Sequence, residues 1–574
     1  MSERSDDDLD EEQTRAAEAP EAAIIVLAGP GSGKTRTLAR RARHLLTIHP
    51  DDHALLLTFT NKAAAEMKGR ALAVSSVSSS RILACTFHAF GYRLLQRHGD
   101  LVGIKSGFDV LDEEEQGEFA RQVADDHGIP NFARSWEESR VQVYEPGWDV
   151  ASFGRHYEAR KRAAGVVDFT DLIHYSDQVL AAHPAAAAAY GGKYRHILVD
   201  EFQDTNALQY ALLSRLASPG DTVSAFADDD QAIFRFAGAD VENVRSFISD
   251  YSAMEYPLIV NHRCREAIVE VANRLILSDP SPSGRTMQAK HPGGSVTYCE
   301  YPTGVDEAEA VLEDIRARAR AGAPLGGIGI LARKGYRANE VVDALRGAGL
   351  PFTDWRGDIF DPEERRALAA CLSVVRGELT DRQAHRLSRL LDSPVVPERR
   401  SHQFLEGHGA NPLAVGLLDV RTAAFQGAPV IRIVELIVEA VARVDKQLSG
   451  RMSALAEAVA GFAVYDPDFT LEQLLAEFAL GAGGRSPNEG GGIKVATIHR
   501  TKGLEWNCVY LIGMEEGQLP DYRAHSALEL SDERRLCFVG VCRALFDLRI
   551  SSTSSGGGYL RRPSLFLREM GLVS

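Results

Sequence analysis

No apolar run in this 574-residue chain approaches the ~20 residues that a membrane span needs. The N-terminus is acidic, so it reads neither as a secretory signal nor as a transit peptide. Cysteine is scarce. Cys85, Cys264, Cys299, Cys371, Cys508, Cys537 and Cys542 form no C-x-x-C pair, which argues against zinc and a disulfide framework and fits a reducing cytoplasm. Positive charge is also short, with a formal net charge of −16. Residues 1–21 hold nine acids and two bases, so −7 of that sits in an acidic leader and −9 in the rest. The acid excess weighs only weakly against a nucleic-acid partner. Phosphate contacts act within a Debye length of ~8–10 Å, so a basic groove survives a negative total. No internal repeat is visible. Apolar content of 45% and charged content of 25% are those of an ordinary globular chain, long enough for several domains.

The most informative stretch present is Ile24-Ile25-Val26-Leu27-Ala28-Gly29-Pro30-Gly31-Ser32-Gly33-Lys34-Thr35. An apolar strand runs into a glycine-rich turn, and a helical pattern follows from Arg36 to Leu46. Such a turn aims backbone N–H groups at phosphate, and the helix N-terminus adds its dipole. Lys34 is placed for the β- and γ-phosphates and Thr35 for Mg²⁺. Ala28 stands at the first position of the motif, where glycine is usual. The order strand, loop, helix implies a nucleoside triphosphate site.

Further strands end in polar turns. Ala54–Thr60 leads into a helix capped by Thr60 or Asn61, and Ile82–His88 repeats the theme. Strand C-termini are where an α/β sheet presents ligand groups. Phe, Thr, Asn and His there suit stacking and phosphate contact along a single strand. Residues 95–190 read as helical, with patterns over Glu113–His127 and Ala151–Ala164 and a boundary at Gly191-Gly192. Tyr194–Val199 is a strand that ends in Asp200-Glu201, the second ATPase signature: one carboxylate for hydrated Mg²⁺, its neighbour for the attacking water. Val223–Ala227 precedes Gln231, whose amide suits a γ-phosphate sensor. Gln13 alone reads as a solvated helix glutamine, although its amide matches the N6/N7 edge of adenine. Phe234 and Phe236 taken singly read as core. A second α/β region begins near Arg263, and residues 376–480 are helical without assignable chemistry. The glycine-rich Gly481–Gly492 returns the chain to a strand at Ile493–His499. Another strand follows at Val509–Ile512, and Glu533–Ala544 reads as a helix carrying Arg543.

Together these motifs resemble superfamily 1 DNA helicases of the UvrD/Rep/PcrA type. The most specific are Thr-Phe-Thr-Asn-Lys-Ala-Ala from Thr58, Val-Asp-Glu-Phe-Gln-Asp from Val199 and Arg-Arg-Leu-Cys-Phe-Val-Gly-Val from Arg534. The resemblance implies an α/β fold: two RecA-like P-loop NTPase motor domains with parallel sheets, each carrying a mainly helical insertion. Domain 1A is expected at 1–90 and 191–260 and insertion 1B at 91–190. Domain 2A is expected at 261–375 and 490–574, with a shortened insertion 2B at 376–489.

It also implies an ATP-dependent 3′→5′ helicase and single-strand DNA translocase, with ATP and Mg²⁺ as cofactors. Its partners are single-stranded DNA and single-strand/duplex junctions, with room for a protein loading partner and no membrane role. The implied catalytic set is Lys34, Asp200, Glu201, Gln231, Arg263 and Arg543, with Glu201 as base and the two arginines as fingers. Asp200 would hold Mg²⁺ through water, beside Thr35. ATP would also meet Gln13, Ala28, Gly29, Pro30, Gly31, Ser32, Gly33, Arg36, His262 and Glu505. The DNA track would comprise Phe59, Thr60, Asn61, Thr86, Phe87, His88, Phe234, Phe236 and His499.

Several positions depart from the family pattern. His262 stands for tyrosine, Phe236 for tryptophan, Ala237 for arginine, Ala227 for glycine and Cys542 for threonine. None removes a group needed for hydrolysis. The short 2B and Ala237 keep open a translocase that strips proteins or needs a partner to unwind. A non-catalytic scaffold expects a damaged phosphate loop or missing fingers, and neither is seen.

Overall fold

A computed structural model describes residues 9–73, 77–105, 107–127, 151–235, 238–280, 284–355, 411–450, 492–556 and 559–573, with isolated helical residues between 367 and 474. Two six-stranded sheets organise it. The first contains β1 (Ala23–Ala28), β2 (Ala54–Thr58), β3 (Ile82–Thr86), β4 (His196–Val199), β5 (Thr222–Ala227) and β6 (Met254–Leu258). Their order across the sheet is β3-β2-β4-β5-β1-β6, and every pairing is parallel. The second contains β7 (Ser295–Tyr301), β8 (Ile328–Ala332), β9 (Phe352–Trp355), β10 (Ile493–Thr497), β11 (Trp506–Ile512) and β12 (Ala544–Thr553). Its order is β7-β12-β11-β8-β10-β9, again all parallel.

The strands are continuous apolar runs because helices cover both faces. Alternation then splits each run between two cores. Ile25, Leu27, Leu55, Leu57 and Val199 pack on one face of the first sheet, while Ile24, Val26, Leu56, Leu198 and Phe226 pack on the other. The second sheet divides likewise, with Ile330, Val495 and Tyr510 on one side and Leu331, Ala496 and Leu511 on the other. Each such aliphatic side chain taken from water contributes ~1.5–3 kcal/mol.

All-parallel pairing has one consequence for function. The C-terminal ends of β1 to β5 open on the same edge, so five distant turns meet there: Gly29–Thr35, Phe59–Asn61, Thr86–His88, Asp200-Glu201 and Asp228–Gln231. The ribbon Val260–Arg265, paired with Gln288–His291, carries Asn261–Arg263 back across the phosphate loop.

Two local expectations are corrected. Gly191-Gly192 does not end the alanine-rich helix, because Pro184–Lys193 runs through it. A side chain at Gly191 would meet Ser218 Oγ at 2.7 Å, so the glycine allows close packing. Arg543 is not on a helix: Ala527–Val541 ends before it, with Cys542 as C-cap, and β12 begins at Ala544. Between 376 and 489, Pro412–Phe425 and Val430–Ala442 are helical and share a separate apolar core. No helix among the described residues is long and apolar enough to cross a membrane.

Candidate functional site

The phosphate loop takes its shape from two glycines with positive φ, Gly31 at 72° and Gly33 at 82°. A Cβ at Gly33 would lie 2.4 Å from Gln13 Nε2, and one at Gly31 would lie 2.5 Å from Arg263 Cβ. Glycine is therefore required for the loop's curvature and for the approach of the second half of the chain. Helix α1 (Glu11–Ala17) braces the loop from behind, through Gln13 Nε2 donating to Ser32 O at 2.7 Å. Helix α2 (Lys34–Ile48) begins at Gly33 with no acidic residue in its first turn, which leaves its N-terminal N–H groups to an anion.

Lys34 Nζ pairs with Glu201 Oε2 at 2.9 Å, and the Thr35 hydroxyl donates to Asp200 Oδ2 at 3.2 Å. Burial works against the Lys34 charge, but Glu201, Asp200 and Asp228 outweigh it and raise the ammonium above its usual value. Burial and the adjacent Glu201 push Asp200 up to about 6. Burial opposes the Glu201 charge too, yet Lys34 and Lys502 hold its carboxyl well below the usual range. Glu201 has φ 51°, a left-handed backbone rarely adopted outside glycine and costing ~1–3 kcal/mol. Gln203 Nε2 holds the same carboxylate at 2.5 Å.

Across the cleft, Arg543 Nη2 donates to Gln231 Oε1 at 2.9 Å, and Gln231 Nε2 donates to Asp228 Oδ2 at 2.6 Å. Gln231 thus bridges the first sheet to a cation of the second. Burial, then the charge of Arg263, lowers Arg543 to about 10. Arg263 Nε pairs with Glu505 Oε2 at 2.5 Å.

One cleft of about 400 Å³ gathers these groups. Lys34, Arg36, Arg70, Arg263, Arg500, Lys502 and Arg543 line it against Glu66, Asp200, Glu201 and Asp204. The surplus of cations suits a polyphosphate. The Thr58 hydroxyl on its wall is buried with no hydrogen-bond partner among the described residues, as in a pocket built for a further polar group. Hard oxygens from Thr35 and Asp200 form a donor set that magnesium takes.

Of the residues expected at ATP, Gly29, Pro30, Gly31, Gly33, Lys34, Thr35, Arg36, Asp200, Glu201, Gln231, Arg263 and Arg543 line this cleft. Ala28 is buried at the end of β1, and the Ser32 hydroxyl turns back to Gly29 O. Gln13, His262 and Glu505 adjoin the cleft. Gln13 engages Ser32 O and the Asp10 N–H, and His262 Nε2 lies 2.7 Å from Asp10 Oδ2.

Phe59, Thr60, Phe234 and His499 line the same cleft. Phe59 is 42% exposed, and its ring stacks on Phe234 with centroids 5.0 Å apart. Thr60 caps α3 (Asn61–Leu72) through Ala63 N–H, and Asn61 is buried in its first turn. The Thr86 hydroxyl caps α4 (Phe87–His98). Burial lowers His88 to about 4, and burial with the charge of Arg333 does the same for His499. Both rings are therefore neutral at physiological pH. Phe87 is a correction: only 4% exposed, it lies in the apolar core because it starts the buried face of α4. Phe236 and Ala237 lie outside the described residues.

The sequence reading missed Lys502 and Asn261. Lys502 Nζ, from the second half, reaches Asp204 Oδ2 at 2.5 Å, Gln231 O at 2.9 Å and Glu201 Oε2 at 3.7 Å, and sits 5.3 Å from the centre of the Phe234 ring. It touches the Glu201 carboxylate and the aromatic stack together. The signal was a lysine three residues before Glu505, itself expected at ATP. Asn261 donates to Pro30 O and accepts from Arg263 N–H and Cys264 N–H, which sets Arg263 against the loop.

Comparison with known proteins agrees with this geometry. Residues 9–252 match the UvrD/REP helicase N-terminal domain, and 256–404 with 432–555 match the UvrD-like helicase C-terminal domain. The DNA helicase II of Salmonella typhimurium is 29% identical, over 98% of this chain and 87% of that protein. The Escherichia coli DNA helicase II is 28% identical over the same shares. An ATP-dependent DNA helicase PcrA of Staphylococcus epidermidis is 27% identical over 98% and 86%. With family matches spanning most of its length and two parallel sheets sharing one phosphate cleft, the chain belongs to the UvrD/REP helicase family.

Proposed function

We propose that this chain is an ATP-dependent DNA helicase that moves 3′→5′ along single-stranded DNA in the cytoplasm. The observation that carries the reading is the shared cleft, in which the phosphate loop faces Arg263 and Arg543 from the second half of the chain and the Phe59–Phe234 stack forms part of the wall. Relatives named DNA helicase II and ATP-dependent DNA helicase PcrA support the substrate class, and family resemblance supports the polarity. Residues 1–90 with 191–260, and 261–375 with 490–574, serve as the two motor domains.

In this reading the loop N–H groups and Lys34 hold the β- and γ-phosphates. Thr35 and Asp200 would hold Mg²⁺, which supplies charge to offset the phosphates. Glu201 orients and deprotonates the attacking water. Arg263 and Arg543 bring positive charge to the γ-phosphoryl oxygens as the two sheets close on one another. Gln231 couples that closure to Asp228. Bases stack on the exposed aromatics without sequence preference.

The test is ATP hydrolysis with and without single-stranded DNA, followed by unwinding of duplexes with a 3′ or a 5′ tail. Strong stimulation with unwinding only from the 3′ tail is expected. Stimulation without unwinding would favour a translocase that clears proteins or requires a loading partner, the reading raised by the short 376–489 insertion. Hydrolysis in neither condition would overturn both.

Lys502 yields a sharper expectation. Lys502→Met removes the cation shared by Glu201, Asp204 and the Phe234 ring. DNA-stimulated kcat is expected to fall by about 10-fold or more, since a misplaced general base forfeits up to ~10²–10⁴. The KM for ATP stays within a few-fold. Steady-state kinetics at saturating DNA decide it, and an unchanged kcat would remove Lys502 from the site.

A further inference from the structure

Asp168-Phe169-Thr170-Asp171-Leu172 opens the helix Phe169–Ala182, and the nucleotide cleft does not use it. Asp168 caps the helix Phe169–Ala182 in a reciprocal box with Asp171: Asp171 N–H donates to Asp168 Oδ1 at 3.0 Å, and Asp168 N–H donates to Asp171 Oδ2 at 2.9 Å. Beneath the cap lies Lys161, 1% exposed. Its ammonium reaches Asp168 Oδ2 at 2.8 Å, Asp171 Oδ2 at 2.5 Å and Glu158 Oε1 at 2.7 Å. The Tyr157 hydroxyl adds a bond to Asp168 Oδ2 at 3.2 Å. A buried ion cluster of this kind adds little net stability, but it tolerates few geometries. Here it fixes where the helix starts and how its first residue points.

That first residue is Phe169. Its ring meets the His88 imidazole edge to face, with centroids 5.9 Å apart and planes at 88°. The two helices are locked farther along. Ser176 Oγ donates to Gly91 O at 3.2 Å, and a Cβ on Gly91 would sit 2.4 Å from Leu172 O, so the register cannot slide. His88 is kept neutral by burial. A neutral imidazole engages a DNA strand by directional hydrogen bonding or stacking rather than by charge, so its orientation decides its worth.

We propose that Phe169, seated on the Lys161–Asp168–Asp171 cluster, is a positioning residue that orients the His88 ring for single-stranded DNA and so sets strand affinity without touching the strand. The proposal rests on the reading of His88 as a strand contact.

The experiment uses the full chain and an oligothymidylate, with hydrolysis measured against oligonucleotide concentration and binding followed by fluorescence anisotropy. An aromatic edge contact is worth a factor of about two to ten in an equilibrium. Phe169→Leu is therefore expected to raise the half-activating DNA concentration by about three- to ten-fold. Hydrolysis at saturating DNA, and without DNA, stays at its original rate. Phe169→Tyr keeps the ring edge and restores affinity. Phe169→Leu combined with His88→Ala binds no more weakly than His88→Ala alone, because both act through one ring. Asp171→Asn, which loosens the cluster while keeping its shape, moves affinity in the same direction as Phe169→Leu.

If His88→Ala weakens binding and Phe169→Leu does not, the positioning role is wrong while the strand contact stands. If His88→Ala leaves the DNA dependence untouched, the strand reading of His88 fails and the proposal falls with it. Additive losses in the double variant, or a fall in saturating hydrolysis for Phe169→Leu, would mark a merely structural residue and overturn it.

Discussion

Lys34→Ala is expected to lower ATP hydrolysis by about 10³-fold or more, while affinity for single-stranded DNA stays within a few-fold. The lysine is buried among Glu201, Asp200 and Asp228, which raise its ammonium above its usual value, so the cleft holds it charged. In the proposed mechanism that charge meets the phosphates where negative charge is transferred, and water cannot replace it inside a narrow cleft. Removing it also strips Glu201 of its 2.9 Å partner and leaves Lys502 at 3.7 Å. Nothing comparable happens at the strand track. Phe59 and Phe234 stack on each other, and neither ring depends on Lys34. The measurement is DNA-stimulated phosphate release, paired with anisotropy of a labelled oligonucleotide. Loss of strand binding together with hydrolysis would mean that the aromatic wall and the phosphate end of the shared cleft do not act separately.

Arg543 has the second large expected effect. A finger arginine brought up by domain closure is worth ~10³–10⁵ in rate. Arg543→Ala is expected to slow hydrolysis by that order while leaving the affinity for a non-hydrolysable ATP analogue within a few-fold. The structure adds a complication that the measurement must resolve. The guanidinium also donates to the Val539, Thr501 and Leu504 carbonyls at 2.9, 3.3 and 3.0 Å. Truncation leaves these buried acceptors unpaired, at ~1–3 kcal/mol for each one left unsatisfied. Arg543→Ala should therefore lower Tm as well. Arg543→Lys separates the two effects, since it keeps the charge and loses the planar fork that spans Gln231 and the carbonyls. A lysine variant that melts near the original temperature but hydrolyses slowly identifies the finger role. A folded variant at the original rate removes Arg543 from that role.

Much of the architecture was legible from residue order. The apolar runs at Ile24–Ala28, Ile197–Val199 and Ile328–Ala332 are strands because parallel sheets covered on both faces need unbroken apolar sequence. The glycine pattern before Lys34 reports a backbone conformation that glycine favours, so the loop announces itself. Asp200-Glu201 followed from a strand ending in two acids. These signals are local: each depends on what a few neighbouring residues do to one another.

What the sequence by itself determined, then, was the pair of α/β halves, the phosphate loop with its paired carboxylates, and the family. Tertiary structure decided which side chains meet. Phe87 follows Thr86 in a stretch that promises strand contact, yet the first turn of α4 faces it into the core. Arg543 sits past the helix end and folds back on Val539 O, which no periodicity reports. Lys502 meets Glu201 and Asp204 across some three hundred residues, and Asn261 clamps the loop from the ribbon Val260–Arg265. Such contacts escape a linear reading because electrostatic pairing and packing depend on distance in space, and parallel pairing sets that distance by gathering strand ends that the chain keeps far apart.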